Sequence, residues 1–193
     1  FGVELIALMD ALQLNRVSFC GLSLGGMIGM WIGQNISERI EKLVLCNSAA
    51  KIEDTALLEN RAGLIRREGI EAIADNVIDR WFSEDFRNSS PAEVSVARRM
   101  LLSTSSTGYA NTSAAVCQLD LRNALSDIRC PTLVVAGTED LATPVAWNEA
   151  ISNSIPQARL VALKAAHLSN IEARDDFNHV VSEFLLSSDS GAG

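Results

Sequence analysis

The run Val17-Ser18-Phe19-Cys20-Gly21-Leu22-Ser23-Leu24-Gly25-Gly26-Met27 enters G-x-S-x-G as a short apolar strand and leaves it as a helix. A strand-to-helix turn this sharp forces Ser23 into a strained backbone conformation. The flanking Gly21 and Gly25 are expected where neighbouring turns come too close for a Cβ. The serine hydroxyl then stands exposed. The next peptide N–H, that of Leu24, opens a helix beginning at Gly25, so it is an unpaired donor at the positive end of a helix dipole and can hold a developing oxyanion. G-x-S-x-G alone recurs by chance; the strand before it and the helix after it give this one its chemical meaning.

The 193 residues, 48% of them hydrophobic, suffice for one sizeable core with an insertion. A net charge of −8 with no compensating basic patch argues against a nucleic-acid partner. Residues 17 to 37 carry no charge, which is long enough to raise a membrane span. Their Gly, Ser, Gln and Asn content and the turn at Ser23 read instead as a buried strand followed by a buried helix, with no membrane partner. Phe1-Gly2-Val3-Glu4 lacks the basic region of a secretory signal. Cys20, Cys46, Cys117 and Cys130 show no C-x-x-C spacing, and the expectation is reduced, buried thiols in a cytoplasmic protein.

In chain order, Leu5, Leu8, Met9 and Leu12 fall at helical spacing within a helix over 1 to 14, and residues 16 to 21 form the strand that delivers Ser23. The next helix carries Gly25, Gly29 and Gly33 on one face, smooth enough to lie close on a sheet. Residues 40 to 47 read as a strand apolar on both faces, as in a covered parallel sheet. Strand, helix, strand implies a right-handed crossover. From Ser48 to about Arg129 the pattern is helical, near 54 to 68, 70 to 81, 91 to 103 and 109 to 119, with Gly69 and Gly108 as separators. Ser90-Pro91-Ala92-Glu93 reads as a capping box with proline at the first helical position. Such a block inserted between strands is a candidate lid, in which Trp81, Phe82, Phe86 and Tyr109 either line a pocket or form the lid's own core. Strands resume at 131 to 137 and 158 to 163. Thr143-Pro144 reads as the start of one helix, and Ser169-Asn170-Ile171-Glu172 as a capping box for another reaching Leu186. The core thus takes residues 1 to 50 and 127 to 187 and the cap 51 to 126, with 188 to 193 as a polar, disordered tail.

A serine hydroxyl is a poor nucleophile at neutral pH. It needs a neutral imidazole to take its proton, and the imidazole needs a carboxylate on its other nitrogen. Of the two histidines, His179 falls mid-helix and His167 falls in the loop after a strand. Asp140 lies in a loop at the carboxyl end of another parallel strand, where open α/β sheets place their sites, with Glu139 as the rival carboxylate. Ser23, Asp140 and His167 therefore each follow a separate strand and make the candidate catalytic set.

That chain order resembles the triad of the α/β-hydrolases, and the resemblance narrows to the 3-oxoadipate enol-lactonases. It is carried by Gly21 to Met27, by Gly108-Tyr109-Ala110 with Asp120-Leu121-Arg122, by Gly137 to Pro144, and by Ala165-Ala166-His167-Leu168-Ser169-Asn170-Ile171-Glu172. It implies an α/β-hydrolase fold with a helical lid and a serine hydrolase that opens a lactone ester without metal or organic cofactor. The substrate is a small lactone or ester with a free carboxylate. Arg122 is a possible partner for that carboxylate, although its Asp-Leu-Arg setting equally fits a structural ion pair. Trp81 and Tyr109 are the other candidate substrate contacts.

Family members carry strands before the serine strand and a loop that supplies a second oxyanion donor. Neither is found before Phe1, so the expectation is an N-terminally truncated fold whose serine strand has an open edge. Alone, the 193 residues are expected to self-associate and to lack lactonase activity. Other readings are an aryl esterase, a carbon–carbon bond hydrolase, a perhydrolase, or a non-catalytic ligand-binding member of the fold.

Overall fold

Four aliphatic runs form a parallel sheet in the computed structural model, which describes residues 1–187. The strands β1 (Val17–Leu22), β2 (Ile40–Cys46), β3 (Thr132–Gly137) and β4 (Ala158–Leu163) lie side by side in chain order. Leu22 pairs with Cys46, Cys46 with Val135, and Gly137 with Leu163. That register brings the four carboxyl ends to one rim. β1 is paired on one side only, and Ser18 and Cys20 are exposed along it.

Strand alternation sets two apolar layers. Leu43, Leu45 and Val134 cluster with Met27, Met30 and Ile32 of α2 (Leu24–Asn35) and with Ile151 of α8 (Val145–Ser154). Their neighbours Val44, Cys46, Leu133 and Val135 cluster with Phe177, Val181 and Phe184 of α10 (Arg174–Leu186). Helices thus cover both faces, as continuous apolar strands require. The first helix, α1 (Gly2–Ala11), buries Met9, sets Gly2 against Trp31 and packs Leu5 on the α2-side cluster, and it leaves Val3 and Leu8 exposed, as is Leu12 at its end.

Between β2 and β3 the chain makes a helical excursion: α3 (Ala56–Glu68), α4 (Ala74–Trp81), α5 (Glu84–Ser89), α6 (Pro91–Leu102) and α7 (Ser106–Cys117). Its two stems are joined where Lys51 bridges Asp120 and Leu121 N–H donates to Ala50 at 2.9 Å. It has its own core in Ile65, Ile70, Ile73, Val77 and Leu101.

Several helix boundaries depart from the sequence reading. Gly69, at φ 86°, separates helices as expected, but residues 70 to 73 wind as a 3-10 turn before α4. Gly108 is no separator: Ser105 accepts from its N–H at 3.2 Å and starts α7 three residues earlier than expected. Ser90 makes no side-chain cap, so the capping box at Pro91 does not form. Thr143 does not cap α8, because its hydroxyl donates to Asp140. Ser169 and Glu172 likewise bond elsewhere, and the expected single helix is split into α9 (Ser169–Glu172) and α10. Cys46 and Cys130 are buried thiols, whereas Cys20 is exposed at the sheet edge and Cys117 is half-buried. The tail from 188 to 193 lies outside the described residues. Among the described residues no helix is long and apolar enough to cross a membrane.

Candidate active site

β1 delivers Ser23 at φ 54° and ψ −113°, a conformation in which a side chain is strained. Three hydrogen bonds hold it. Ser23 N–H donates to Cys46 at 2.9 Å, and its carbonyl accepts from Met27 N–H at 3.1 Å and from the Ser48 hydroxyl at 2.8 Å. The close approach expected at Gly21 is present, since a Cβ there would fall 2.2 Å from the Gly25 carbonyl oxygen. Gly25 departs from expectation: a Cβ would meet nothing within 4 Å. The tight neighbour is Gly26, whose added Cβ would lie 2.6 Å from Ser48. Gly29 and Gly33 do lie against the sheet side chains Leu45 and Leu43. Leu24 is the first residue of α2, so its N–H has no acceptor within the helix.

His167 arrives on the loop after β4, and Asp140 on the loop after β3. His167 Nδ1 lies 2.8 Å from Asp140 Oδ2, with side chains 5% and 0% exposed. This pairing places the proton on Nδ1 and leaves Nε2 as the free acceptor. Among the described residues no hydrogen bond joins Nε2 to Ser23 Oγ; such contacts often tighten only when substrate binds. Burial pushes the Asp140 carboxyl up, but hydrogen bonding from His167 and its charge, with the Thr143 N–H and hydroxyl, outweigh it and hold the carboxyl below its usual range. Glu139 is exposed, and only its backbone joins the site, through Ala165. His179 is exposed on α10.

The surroundings contain residues that the sequence did not single out. Asp140 Oδ2 also accepts from Asn47 Nδ2 at 3.0 Å and Thr143 Oγ1 at 2.7 Å, and Oδ1 accepts from the N–H groups of Ala142 and Thr143 at 2.7 and 2.9 Å. Asn47, fully buried at φ 45°, donates in addition to the Ala166 carbonyl and accepts from Ser169 at 2.5 Å. Asn148, also fully buried, accepts from Ser48 N–H and donates to the Thr143 carbonyl, both at 3.1 Å. A continuous chain of buried polar groups therefore runs from Ser23 through Ser48, Asn148 and Thr143 to Asp140 and His167. The available signal was an asparagine directly after a buried strand, a position that tolerates positive φ. Gly137 lets the histidine loop approach: a Cβ would fall 2.4 Å from the carbonyl oxygens of Ala165 and Ala166.

The three candidate substrate contacts lie in different surroundings. The Trp81 side chain packs among the helical clusters, and its carbonyl accepts from Leu168 N–H at 3.0 Å, beside His167. Tyr109 packs against the core of the excursion. Arg122 is exposed, with its guanidinium 2.7 Å from both Asp120 and Glu53. That is the ion-pair alternative. An apolar cavity of about 300 Å³ adjoins Leu24, lined by Met27, Trp31, Val116 and Leu119. A larger one, about 610 Å³, is lined by Arg16, Lys42 and Arg129 near the amino ends of the strands. Among the described residues no three His, Cys, Asp or Glu side chains gather as a metal-binding group.

A family profile described as the alpha/beta hydrolase fold matches residues 3–174. The chain belongs to the α/β-hydrolase family. This α/β-hydrolase is 37% identical over 180 residues to 3-oxoadipate enol-lactonase 2 of Acinetobacter baylyi, covering 93% of this chain and 67% of that protein. The crystal structure of the enol-lactonase from Burkholderia xenovorans LB400 superposes with a TM-score of 0.94 at 38% identity, over 96% of this chain and 72% of that one. A thermophilic esterase from Thermogutta terrifontis superposes at 0.88 with 27% identity, over 95% and 70%. Family membership shows the α/β-hydrolase fold, and the enol-lactonase relatives support a carboxylic ester hydrolase class.

Proposed function

We propose that this α/β-hydrolase is a serine hydrolase that opens 3-oxoadipate enol-lactone to 3-oxoadipate in the cytoplasmic catabolism of aromatic compounds. The observation that carries the chemistry is the buried His167–Asp140 pair at 2.8 Å, on the same rim of the sheet as a serine held at φ 54°. Similarity to two enol-lactonases at 37% and 38% identity supports the substrate.

In this reading His167 Nε2 takes the Ser23 proton as Oγ attacks the lactone carbonyl. Asp140 keeps the imidazole in the required tautomer and stabilises the imidazolium. Leu24 N–H stabilises the oxyanion. Collapse breaks the ring C–O bond, and the His167 imidazolium returns its proton to the departing enolate, giving an enol still tethered through the acyl group to Ser23 and leaving the imidazole neutral. The enol tautomerises to the ketone, so C–O cleavage itself needs little protonation help. Water, deprotonated by His167, then hydrolyses the acyl-enzyme, and one water is consumed per lactone. Every step uses side chains and backbone of the protein.

The test is loss of lactone absorbance with intact protein across a panel that includes aryl esters and a carbon–carbon bond substrate. Turnover fastest on the enol-lactone supports the assignment; a larger kcat/KM for an aryl ester reassigns the enzyme as an esterase.

A further inference from the structure

We infer that Glu172 is a positioning residue that couples the seating of the helical excursion to the placement of His167. The inference rests on the proposed role of His167 as general base.

His167 is clasped from both sides of its own backbone. On the amino side, Ala166 N–H donates to Glu172 Oε2 at 3.1 Å, and the same oxygen accepts from Ser83 N–H at 3.2 Å. The Ser83 hydroxyl donates to the other oxygen, Oε1. On the carboxyl side, Leu168 N–H donates to the Trp81 carbonyl at 3.0 Å. Both partners of the histidine loop, Ser83 through Glu172 and Trp81 directly, belong to one three-residue stretch where α4 gives way to α5. Between them Phe82 is 1% exposed, in the cluster on which Leu168 and Ile171 pack. One residue earlier, the Arg80 guanidinium donates to the Leu141 carbonyl, next to Asp140. Residues 80 to 83 thus grip both loops that meet at the His167–Asp140 pair.

The carboxylate chemistry explains why this residue is a glutamate. Its two oxygens receive three donors from two separate chain segments; a glutamine keeps the two N–H bonds on its carbonyl oxygen but forgoes the negative charge that strengthens all three, and forces the Ser83 hydroxyl, which already accepts from Phe86 N–H, to turn from donor to acceptor. The Ser169-to-Glu172 pattern that reads as a helix cap serves this clasp instead. The consequence is functional: with Glu172 disengaged, the Ala165–Ala166 peptide next to His167 loses its side-chain link to the excursion, and the imidazole drifts relative to Ser23.

The experiment compares Glu172→Gln, Ser83→Ala and Ser83→Thr with wild type in intact protein, using 4-nitrophenyl acetate as the probe. Glu172→Gln is expected to lower kcat about 10- to 100-fold, as sub-ångström misplacement of a reacting group does, with KM changed by less than about threefold. Ser83→Ala lowers kcat in the same sense. Ser83→Thr, which keeps the hydroxyl, restores it, and the double variant Glu172→Gln/Ser83→Ala loses little more than Glu172→Gln alone. A structural role alone would lower the melting temperature but leave kcat per folded molecule unchanged, and that result overturns the inference.

Because Ser83 also accepts from Phe86 N–H at 3.2 Å, a second measurement does not depend on turnover. In protein labelled with ¹⁵N-histidine, the imidazole signals of His167 and His179 are assigned by substituting each in turn. Glu172→Gln should shift or broaden the His167 signals and leave those of His179 in place; unchanged His167 signals contradict the clasp. If wild type neither turns over nor reacts with a phosphonate at Ser23, the hydrolase reading fails, and the imidazole spectra still decide the clasp.

Discussion

At the scale of single residues, the candidate site depends on where each polar atom finds its partner. Asp140 and Glu139 are adjacent, yet Asp140 is 5% exposed and bonded to His167, while Glu139 is exposed. Asp140→Asn should therefore cut kcat by about 10⁴, the loss typical when a triad imidazole takes the wrong tautomer. Glu139→Gln should stay within about twofold of wild type, and steady-state kinetics on the two variants decide the point. The same carboxylate links stability to acid. Its folded pKa lies below the ordinary value of about 3.9, so its stabilising contribution is complete above that pH. It is lost as pH falls through the lowered folded value. Thermal melts between neutral pH and pH 3 should show a loss that Asp140→Asn lacks. Asn148 carries a second prediction. Replacing it by Ala strips the buried Ser48 N–H of its acceptor, which should cost about 1–3 kcal/mol in denaturant unfolding; an unchanged midpoint would mean that the polar chain behind Ser23 does not hold it.

At the scale of elements, Phe82 is the fully buried anchor between the helical excursion and the histidine loop. Phe82→Ala should destabilise by about 3–5 kcal/mol. It should also lower activity more than an equally destabilising change on α10, because only Phe82 sits within the stretch that grips His167. What the sequence made legible here follows physical lines. The strands, and the loops holding Ser23, Asp140 and His167, were readable because a covered parallel strand is a continuous apolar run and its carboxyl end is where polar residues must begin. Helix starts were read less well, and for one reason. Thr143, Ser169 and Glu172 have the residue types of caps, but Thr143 turns back to Asp140, and Ser169 and Glu172 bond to Asn47 and Ser83, 122 and 89 residues away, partners of which local spacing carries no record. Asn47 and Asn148 were missed for the same cause, since their meaning lies in contacts across the sheet rim. Gly25 was assigned a packing role that Gly26 performs, a one-residue error in which face of α2 meets Ser48.

At the scale of the whole molecule, two features bear on behaviour in solution and on chemistry. Among the described residues β1 is paired on one side only, and nearby Val3 and Leu8 of α1 and Leu12 after it are more than half exposed. An open apolar edge is a template for association, so the 193-residue chain alone should sediment as dimers or larger species at micromolar concentration. A monomeric, cooperatively melting chain would contradict that. The chemistry depends on the rim, where register aligns the carboxyl ends of β1, β3 and β4, the strands followed by Ser23, Asp140 and His167. The proposed chemistry stands or falls with Ser23 as the nucleophile that opens the ester. The most direct measurement is turnover of 3-oxoadipate enol-lactone by intact wild type and Ser23→Ala, with a fluorophosphonate probe mapped on both. Wild type should carry one equivalent of label on Ser23, and a folded Ser23→Ala protein should take no label and keep less than about a thousandth of wild-type kcat. Label on another residue, or a variant that retains more than that fraction of turnover, would contradict it.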